Sequence, residues 1–162
     1  MGTTKEFQTA KMDRFTKSIT VILLVFLPLL AVSSFFIEPQ KLFVSVLLSV
    51  LFIAVIVISY CFVPKRIAIS EDQILIKNLF GSVIINIAEI ISIEKIEKTG
   101  FNLRTFGVGG LFGYFGYFNG KDIWYVTNTN NKVKIILNSG KIYMISPENT
   151  SDFVEQIQKR KS

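Results

Sequence analysis

Two long apolar runs, separated by only four residues, constrain the fold of this chain more than any other feature. Ser18–Ile37 is 20 residues long, Leu42–Val63 is 22 residues long, and neither contains a charge. An α-helix rises about 1.5 Å per residue, so each run can cross a hydrocarbon core roughly 30 Å thick. The interval Glu38–Lys41 is short, and its Pro39 suits a tight turn. The sequence therefore predicts an antiparallel pair of transmembrane helices over residues 18–37 and 42–63.

The first run also has an alternative interpretation. A basic start, an apolar stretch over residues 19–30 and the small-residue triplet Ala31-Val32-Ser33 resemble a cleaved secretory signal peptide. The apolar character continues through Ile37, which favours a spanning helix. Pro28 lies in the middle of the run, and we expect it to kink that helix.

The distribution of Lys and Arg around the two runs predicts their orientation. Four basic residues lie within residues 1–17, only Lys41 lies between the runs, and Lys65 and Arg66 follow the second run. Basic residues flanking membrane spans are enriched on the cytoplasmic side. We therefore expect a multi-pass protein of the cytoplasmic (inner) membrane, with both termini cytoplasmic. Residues 1–17 are predicted to be a cytoplasmic N-terminal tail that is disordered at its start.

Composition excludes several classes of function. The net charge is +6 without a long basic tract, which suits an anionic lipid surface and gives no indication of nucleic-acid binding. Histidine is absent and Cys61 is the only cysteine, so no metal site or cofactor is expected. Cys61 is interpreted as a small packed side chain, with acylation of a juxtamembrane thiol as the alternative.

A change of periodicity at Pro64 indicates a second unit over residues 64–162, rich in β-strands. Short alternating segments separated by turns predict seven strands. The predicted strands are Lys65–Ser70, Gln73–Lys77, Val83–Ile87, Ile90–Glu97, Asp122–Thr127, Lys132–Leu137 and Lys141–Ile145. Ile90–Glu97 could also form a helix, but its β-branched residues favour a strand.

A helix is predicted after Pro147, because Asn149 and Asp152 form a capping arrangement before an apolar face of Phe153, Val154 and Ile157. We expect this helix to plug one open end of a strongly bent antiparallel sheet.

Glycine and aromatic residues alternate over residues 106–120 in a pattern typical of neither a strand nor an α-helix. Glycine recurs every three residues from 107 to 116, and Phe recurs at 112, 115 and 118. The segment does not form a phosphate-binding loop, since the third glycine of a dinucleotide fingerprint would fall on Phe112 and no Gly-Lys-Ser/Thr is present. No nucleotide is therefore expected as a ligand.

Two interpretations of this segment remain. The glycines can let the backbone turn while the aromatic rings cover the core of the domain. Alternatively, the rings enter the lipid headgroup region, where flanking basic side chains would meet phosphate. The candidate membrane or partner contacts are Arg104, Phe106, Phe112, Tyr114, Phe115, Tyr117, Phe118 and Lys121.

The glycine–aromatic sequence also carries a resemblance to a known family. Residues 104–116 (RTFGVGGLFGYFG), the segment Tyr125-Val126-Thr127, residues 140–149 (GKIYMISPEN) and Phe153 resemble the bacterial pleckstrin-homology-like domain proteins. Many of these are small membrane proteins with two spanning helices before the domain. The resemblance covers about residues 66–158 and implies a bent seven-stranded antiparallel sheet or barrel of pleckstrin-homology (PH) type, capped by a C-terminal helix. It does not extend to phosphoinositide binding, because the first turn, Ser70–Gln73, is acidic here.

These observations predict a membrane-anchored, non-catalytic interaction module that binds a protein partner, another copy of itself or lipid. The alternative is an accessory subunit of a membrane transport or signalling complex. Transport by this chain alone is not expected, since neither apolar run contains an ionisable pathway residue. Catalysis is not expected either, because Glu94, Glu97 and Asp122 lack an accompanying base, nucleophile or metal set.

Overall fold

The computed structural model describes residues 4–37, 41–97, 100 and 102–161, which form three α-helices and ten β-strands. The helices are α1 (Arg14–Ile37), α2 (Leu42–Cys61) and α3 (Thr150–Lys161). The first five strands are β1 (Lys5–Phe7), β2 (Arg66–Ile69), β3 (Gln73–Lys77), β4 (Ser82–Asn86) and β5 (Ile90–Ile96). The other five are β6 (Arg104–Gly109), β7 (Tyr114–Phe118), β8 (Asp122–Val126), β9 (Lys132–Leu137) and β10 (Ile142–Ile145).

Helices α1 and α2 correspond to the two apolar runs, and both are long and apolar enough to cross a membrane. The helices contact each other, and the Ser45 hydroxyl on α2 donates a hydrogen bond to the Ser34 carbonyl on α1 at 2.9 Å. Helix α1 begins four residues earlier than predicted, at Arg14, and contains Pro28. Residues 38–40 of the predicted turn lie outside the described residues.

The strands form two sheets. The order in the four-stranded sheet is β1-β2-β3-β4, with antiparallel neighbours throughout. The order in the six-stranded sheet is β5-β9-β10-β8-β7-β6, where β8 and β10 run parallel and the other pairs run antiparallel. Strand β10 lies between β9 and β8 in the sheet. It runs antiparallel to β9, which precedes it in the chain, and parallel to β8.

All seven predicted strands are present, but the prediction of one seven-stranded antiparallel sheet is wrong in arrangement. The glycine–aromatic segment adds β6 and β7, and the N-terminal segment adds β1. The strands divide between two sheets, and the described residues do not form a single closed barrel. Alternation along a strand identifies which residues share a face, but it carries no information about a partner strand that is distant in sequence.

The principal hydrophobic core lies between the four-stranded sheet, strands β5, β9 and β10, and helix α3. Phe153 and Ile157 of α3 are fully buried among the isoleucines of these strands. As the sequence predicts, Asn149 caps α3: its side-chain oxygen accepts a hydrogen bond from the Asp152 N–H at 3.1 Å. A second, smaller cluster of Phe118, Trp124, Val126 and Met144 lies toward β7 and β8.

Residues that precede the two long helices complete the sheet domain. Lys5–Phe7 pairs with Ile67–Ile69, and the Ala10 N–H donates to the Ser146 carbonyl at 2.8 Å. The Phe7 ring packs edge-on against Phe153, with centroids 5.1 Å apart. The expectation of disorder at the start of the chain is therefore wrong for residues 5–10. Sequence alone missed this strand because it is three residues long and its partner lies about 60 residues away.

Replacing Phe7 with Ala tests whether the N-terminal strand is part of the domain. Phe→Ala in a core costs about 3–5 kcal/mol, so the free energy of unfolding should fall by about that amount. The measurement is the urea midpoint of the full chain in mild detergent, followed by Trp124 fluorescence. Gln8→Ala, on the exposed neighbour, should leave the midpoint unchanged. Equal midpoints for Phe7→Ala and the parent chain would contradict the structural role of β1.

Candidate functional site

The Asp13 carboxylate joins the start of helix α1 to the sheet domain. Its Oδ1 atom accepts from the Thr16 N–H at 2.8 Å, which caps α1. Its Oδ2 atom accepts from the Thr129 N–H at 2.6 Å and from the Thr129 hydroxyl at 2.8 Å. Burial raises the pKa of Asp13, but the hydrogen bonds from Thr16 and Thr129 outweigh burial and hold the pKa below its usual value. The carboxylate therefore stays ionised and links α1 to the loop between β8 and β9.

A buried hydroxyl network fixes the chain just before α1. The Thr127 hydroxyl donates to the Ala10 carbonyl at 2.6 Å, and the Thr127 N–H donates to the Ser146 hydroxyl at 2.8 Å. Close by, the buried Lys132 ammonium donates to the Thr129 carbonyl. Burial lowers the pKa of Lys132, and the negative charge of Asp13 opposes that effect. The entry of the chain into α1 is therefore held by hydrogen bonds that are shielded from water.

The Thr20 hydroxyl connects the next turns of α1 to the turn between β6 and β7. It accepts from the Phe112 N–H at 2.9 Å and lies within donating distance of two carbonyls, Thr16 at 2.8 Å and Gly110 at 3.0 Å. A hydroxyl carries one hydrogen, so these two carbonyls share it. Gly110 allows the approach, since a Cβ atom there would lie 2.9 Å from Ile19 Cγ2. The tip of the glycine–aromatic segment is therefore docked on the first apolar turns of α1.

The same turn also contacts helix α2. The Phe112 ring packs edge-on against Tyr60, with centroids 5.5 Å apart. The Lys65 ammonium lies 3.8 Å from the centroid of the Tyr60 ring. Phe112 has a positive φ of 62°, a conformation that a bulky side chain adopts only when its surroundings hold it there. The turn of residues 110–113 therefore bridges the sheet-facing ends of both helices.

Two facing glycines explain part of the three-residue repeat. Gly107 on β6 lies opposite Gly116 on β7, and their φ angles are 118° and 115°. A Cβ atom on Gly107 would collide with the Phe115 carbonyl, and one on Gly116 would collide with the Phe106 carbonyl. The strands bend and approach each other more closely here than side chains allow.

The structure divides the eight predicted contact residues between three environments. Phe115 and Phe118 are buried, and Phe118 stacks on Trp124 at 4.5 Å. Phe112 and Tyr114 are half-buried. Burial raises the pKa of Tyr114, and the nearby Asp13 carboxylate raises it further. The exposed residues of the set are Arg104, Phe106, Tyr117 and Lys121.

The first interpretation, in which the rings cover the core, therefore describes Phe115 and Phe118. Of the exposed set, Phe106 and Tyr117 lie opposite each other on β6 and β7, and Phe106 is 73% exposed. These two side chains line a mostly apolar cavity of about 230 Å³. Its lining includes Phe62, Val83, Phe106, Gly107 and Tyr117.

Sequence reasoning missed the residues that join the helices to the domain. Asp13, three residues before Thr16, is an N-cap signal that indicates a helix start before Ser18. Thr20 gives no comparable signal, because threonine is common within apolar runs. The described residues contain no group of three or more His, Cys, Asp or Glu that could hold a metal ion.

A comparison with known families agrees with this architecture. A family model described as a bacterial PH domain matches residues 65–161, which is more than half of the chain. The chain belongs to the bacterial PH domain family. The resemblance seen in the glycine–aromatic sequence is therefore confirmed. No curated protein and no solved structure matches the chain. Strand β1, whose residues precede both long helices, lies outside the matched range and forms the edge of the four-stranded sheet.

Replacing Gly107 with Ala should destabilise the PH domain. A side chain there would adopt an unfavourable φ, which alone costs about 1–3 kcal/mol, and it would also strike the facing strand. The measurement is again the urea midpoint in detergent. Gly81→Ala is the matched control, because nothing lies within 4 Å of the added Cβ and the φ of Gly81 is ordinary. Equal losses for both variants would show that the facing glycines have no special packing role.

Replacing Thr20 with Val should release the β6–β7 turn from helix α1. The variant keeps the shape of the side chain but leaves the Phe112 N–H and the Gly110 carbonyl without their partner, which costs about 1–3 kcal/mol. Amide hydrogen exchange at Phe112 should accelerate by about tenfold, since a tenfold change corresponds to about 1.4 kcal/mol. Thr20→Ser keeps the hydroxyl and should exchange like the parent. Unchanged protection in Thr20→Val would show that the turn is held by other contacts.

Proposed function

We propose that this protein is a membrane-anchored, non-catalytic interaction module in which α1 and α2 hold the PH domain at the inner face of the cytoplasmic membrane. One observation carries the proposal. The large apolar side chains of both helices are largely uncovered by the PH domain, among them Phe26, Phe36, Phe43, Leu47 and Val50. An exposed apolar surface of this extent is stable only when another apolar medium covers it, and the length of both helices suits a bilayer.

The charges at the helix ends support a cytoplasmic PH domain. Arg14 and Lys17 lie at the start of α1, and Lys65 and Arg66 follow α2. These residues lie at the ends of the helices that adjoin the domain, whereas Lys41 alone lies near the opposite ends. By the positive-inside rule, the domain and both termini are cytoplasmic and residues 38–41 lie outside. In this arrangement residues 18–63 are the anchor, and residues 64–162 with β1 are the interaction module.

The exposed part of the glycine–aromatic segment is the proposed binding surface for a protein partner. Phe106 and Tyr117 face each other across neighbouring strands, and both line the apolar cavity. Arg104 and Lys121 are exposed elsewhere on the same segment. Among the described residues β6 is the last strand of its sheet, and an edge strand can pair with a partner through its backbone. Exposed aromatic and arginine side chains are enriched in protein interfaces.

A non-catalytic role agrees with the state of the carboxylates that sequence reasoning considered. Glu94 forms an ion pair with Lys134 at 3.7 Å, and Glu97 forms one with Lys95 at 3.1 Å. Both are solvent-exposed pairs on a strand and its end, which is typical of a hydrated surface. Neither arrangement positions a base beside a nucleophile.

The proposal is tested by placing a photo-crosslinking amino acid at Phe106 or Tyr117 in the full-length protein in its native membrane. We expect both positions to capture the same protein, because they face one surface. The crosslinker at the exposed Asn138, in the turn between β9 and β10, should not capture that protein. Phe106→Ser should reduce recovery of the captured protein with the full-length chain by several-fold.

Anchoring and orientation are checked on the same membranes. The protein should remain with the membrane when the membrane is washed with alkaline carbonate. Protease added to spheroplasts should cleave the PH domain only after the spheroplasts are lysed. Release by carbonate would contradict the anchor, and cleavage in intact spheroplasts would contradict the orientation. Crosslinking to lipid alone would contradict a protein partner at this surface.

A further inference from the structure

The loop between β3 and β4 presents two large apolar side chains at its tip. Leu79 is 59% exposed and Phe80 is 60% exposed. The side-chain oxygen of Asn78 accepts from the N–H groups of Phe80 and Gly81, both at 3.0 Å, and the Asn78 N–H donates to the Gly81 carbonyl at 2.9 Å. These bonds hold the loop in one compact turn, so Leu79 and Phe80 stay outside the domain core. We call residues 78–81 the apolar tip.

The apolar tip lies against the end of helix α2. The Leu79 N–H donates to the carbonyl of Cys61, the last residue of α2, at 3.2 Å. The Phe80 ring packs against Phe62, the next residue along the chain, with centroids 5.0 Å apart. Because α2 has the length and hydropathy of a membrane span, its end marks the depth at which the chain leaves the hydrocarbon. With α2 as the proposed membrane anchor, the apolar tip lies at the depth of the lipid headgroups.

The surroundings of the apolar tip match that depth in chemistry. Tyr60 and Phe62 place aromatic rings at the same level, as in the aromatic belts of membrane proteins. Lys77 directly precedes the tip, and the Lys65 N–H donates to the Lys77 carbonyl at 2.7 Å. The Lys65 ammonium lies over the Tyr60 ring, so two cationic residues are adjacent to the tip. An apolar tip with flanking cations is complementary to a bilayer surface that contains anionic lipid.

We propose that Leu79 and Phe80 insert into the headgroup region of the anionic inner leaflet and form a third membrane contact beside α1 and α2. The inference rests on the proposed membrane anchor, and it assigns a lipid-binding role to a loop outside the glycine–aromatic segment. The apolar tip contacts α2, whereas the β6–β7 turn contacts both helices through Thr20 and Tyr60. Two helices and an inserted loop set the tilt of the PH domain on the membrane, and thereby the height at which Phe106 and Tyr117 are presented.

The test measures membrane depth at single labelled sites in the full-length chain. Cys61→Ser removes the only native cysteine. On that background Leu79→Cys or Phe80→Cys carries an environment-sensitive fluorophore, and the protein is reconstituted in phosphatidylcholine vesicles containing phosphatidylglycerol. Ser139→Cys, in the exposed β9–β10 turn, is the matched control in the domain. Val50→Cys, on the exposed surface of α2, reports on the anchor itself.

A nitroxide attached near the lipid headgroup should quench the fluorophore at positions 79 and 80 at least threefold more than at position 139. A nitroxide deep in the acyl chain should quench position 50 most strongly. Strong quenching at position 50, with positions 79 and 80 no more quenched than 139, overturns insertion of the apolar tip while the anchor stands. No quenching at position 50 overturns the anchor on which the inference rests. Energy transfer between labelled Phe80→Cys copies, without quenching by lipid, would show that a second chain covers the tip and would also overturn the inference.

Discussion

The Asp13 carboxylate is the interaction on which the relation between the helices and the PH domain depends. It caps α1 through Thr16 and binds the β8–β9 loop through Thr129. Burying an ionised carboxylate is costly unless hydrogen bonds compensate, and here three donors do so and hold its pKa low. A flexible linker would leave the orientation of the domain undefined. A shared buried carboxylate, one residue before the helix begins, fixes the start of α1 against the β8–β9 loop.

The chain path strengthens that connection. Because β1 precedes α1 and pairs with β2 after α2, the two apolar helices are an insertion between neighbouring strands of one sheet. The domain is therefore connected to the start of α1 through residues Ala10–Asp13 and to the end of α2 through residues Phe62–Lys65. The Gly110–Phe112 turn adds a third connection where it contacts Thr20 and Tyr60.

The glycine–aromatic segment has more than one role, which is why its sequence pattern allowed two interpretations. Its facing glycines let β6 and β7 bend and approach, Phe115 and Phe118 fill the core, and Phe112 packs on α2. Phe106 and Tyr117 remain on the surface. Composition and period describe all of these aromatic residues equally. Only the direction of each side chain from a bent hairpin separates the buried aromatic residues from those that stay on the surface.

The elements whose signals are local could be predicted from the amino-acid sequence. These are two apolar runs long enough to span a membrane, seven strands from residue 65 onward and a capped C-terminal helix. Each follows from a periodicity or a cap that can be read within a few residues. Three features could not be predicted and are seen only in the folded structure: the pairing of β1 with β2, the parallel pair of β8 and β10, and the docking of the β6–β7 turn on Thr20. These contacts join residues that lie far apart in the chain, and their stability comes from packing and hydrogen bonds that exist only once both partners are in place.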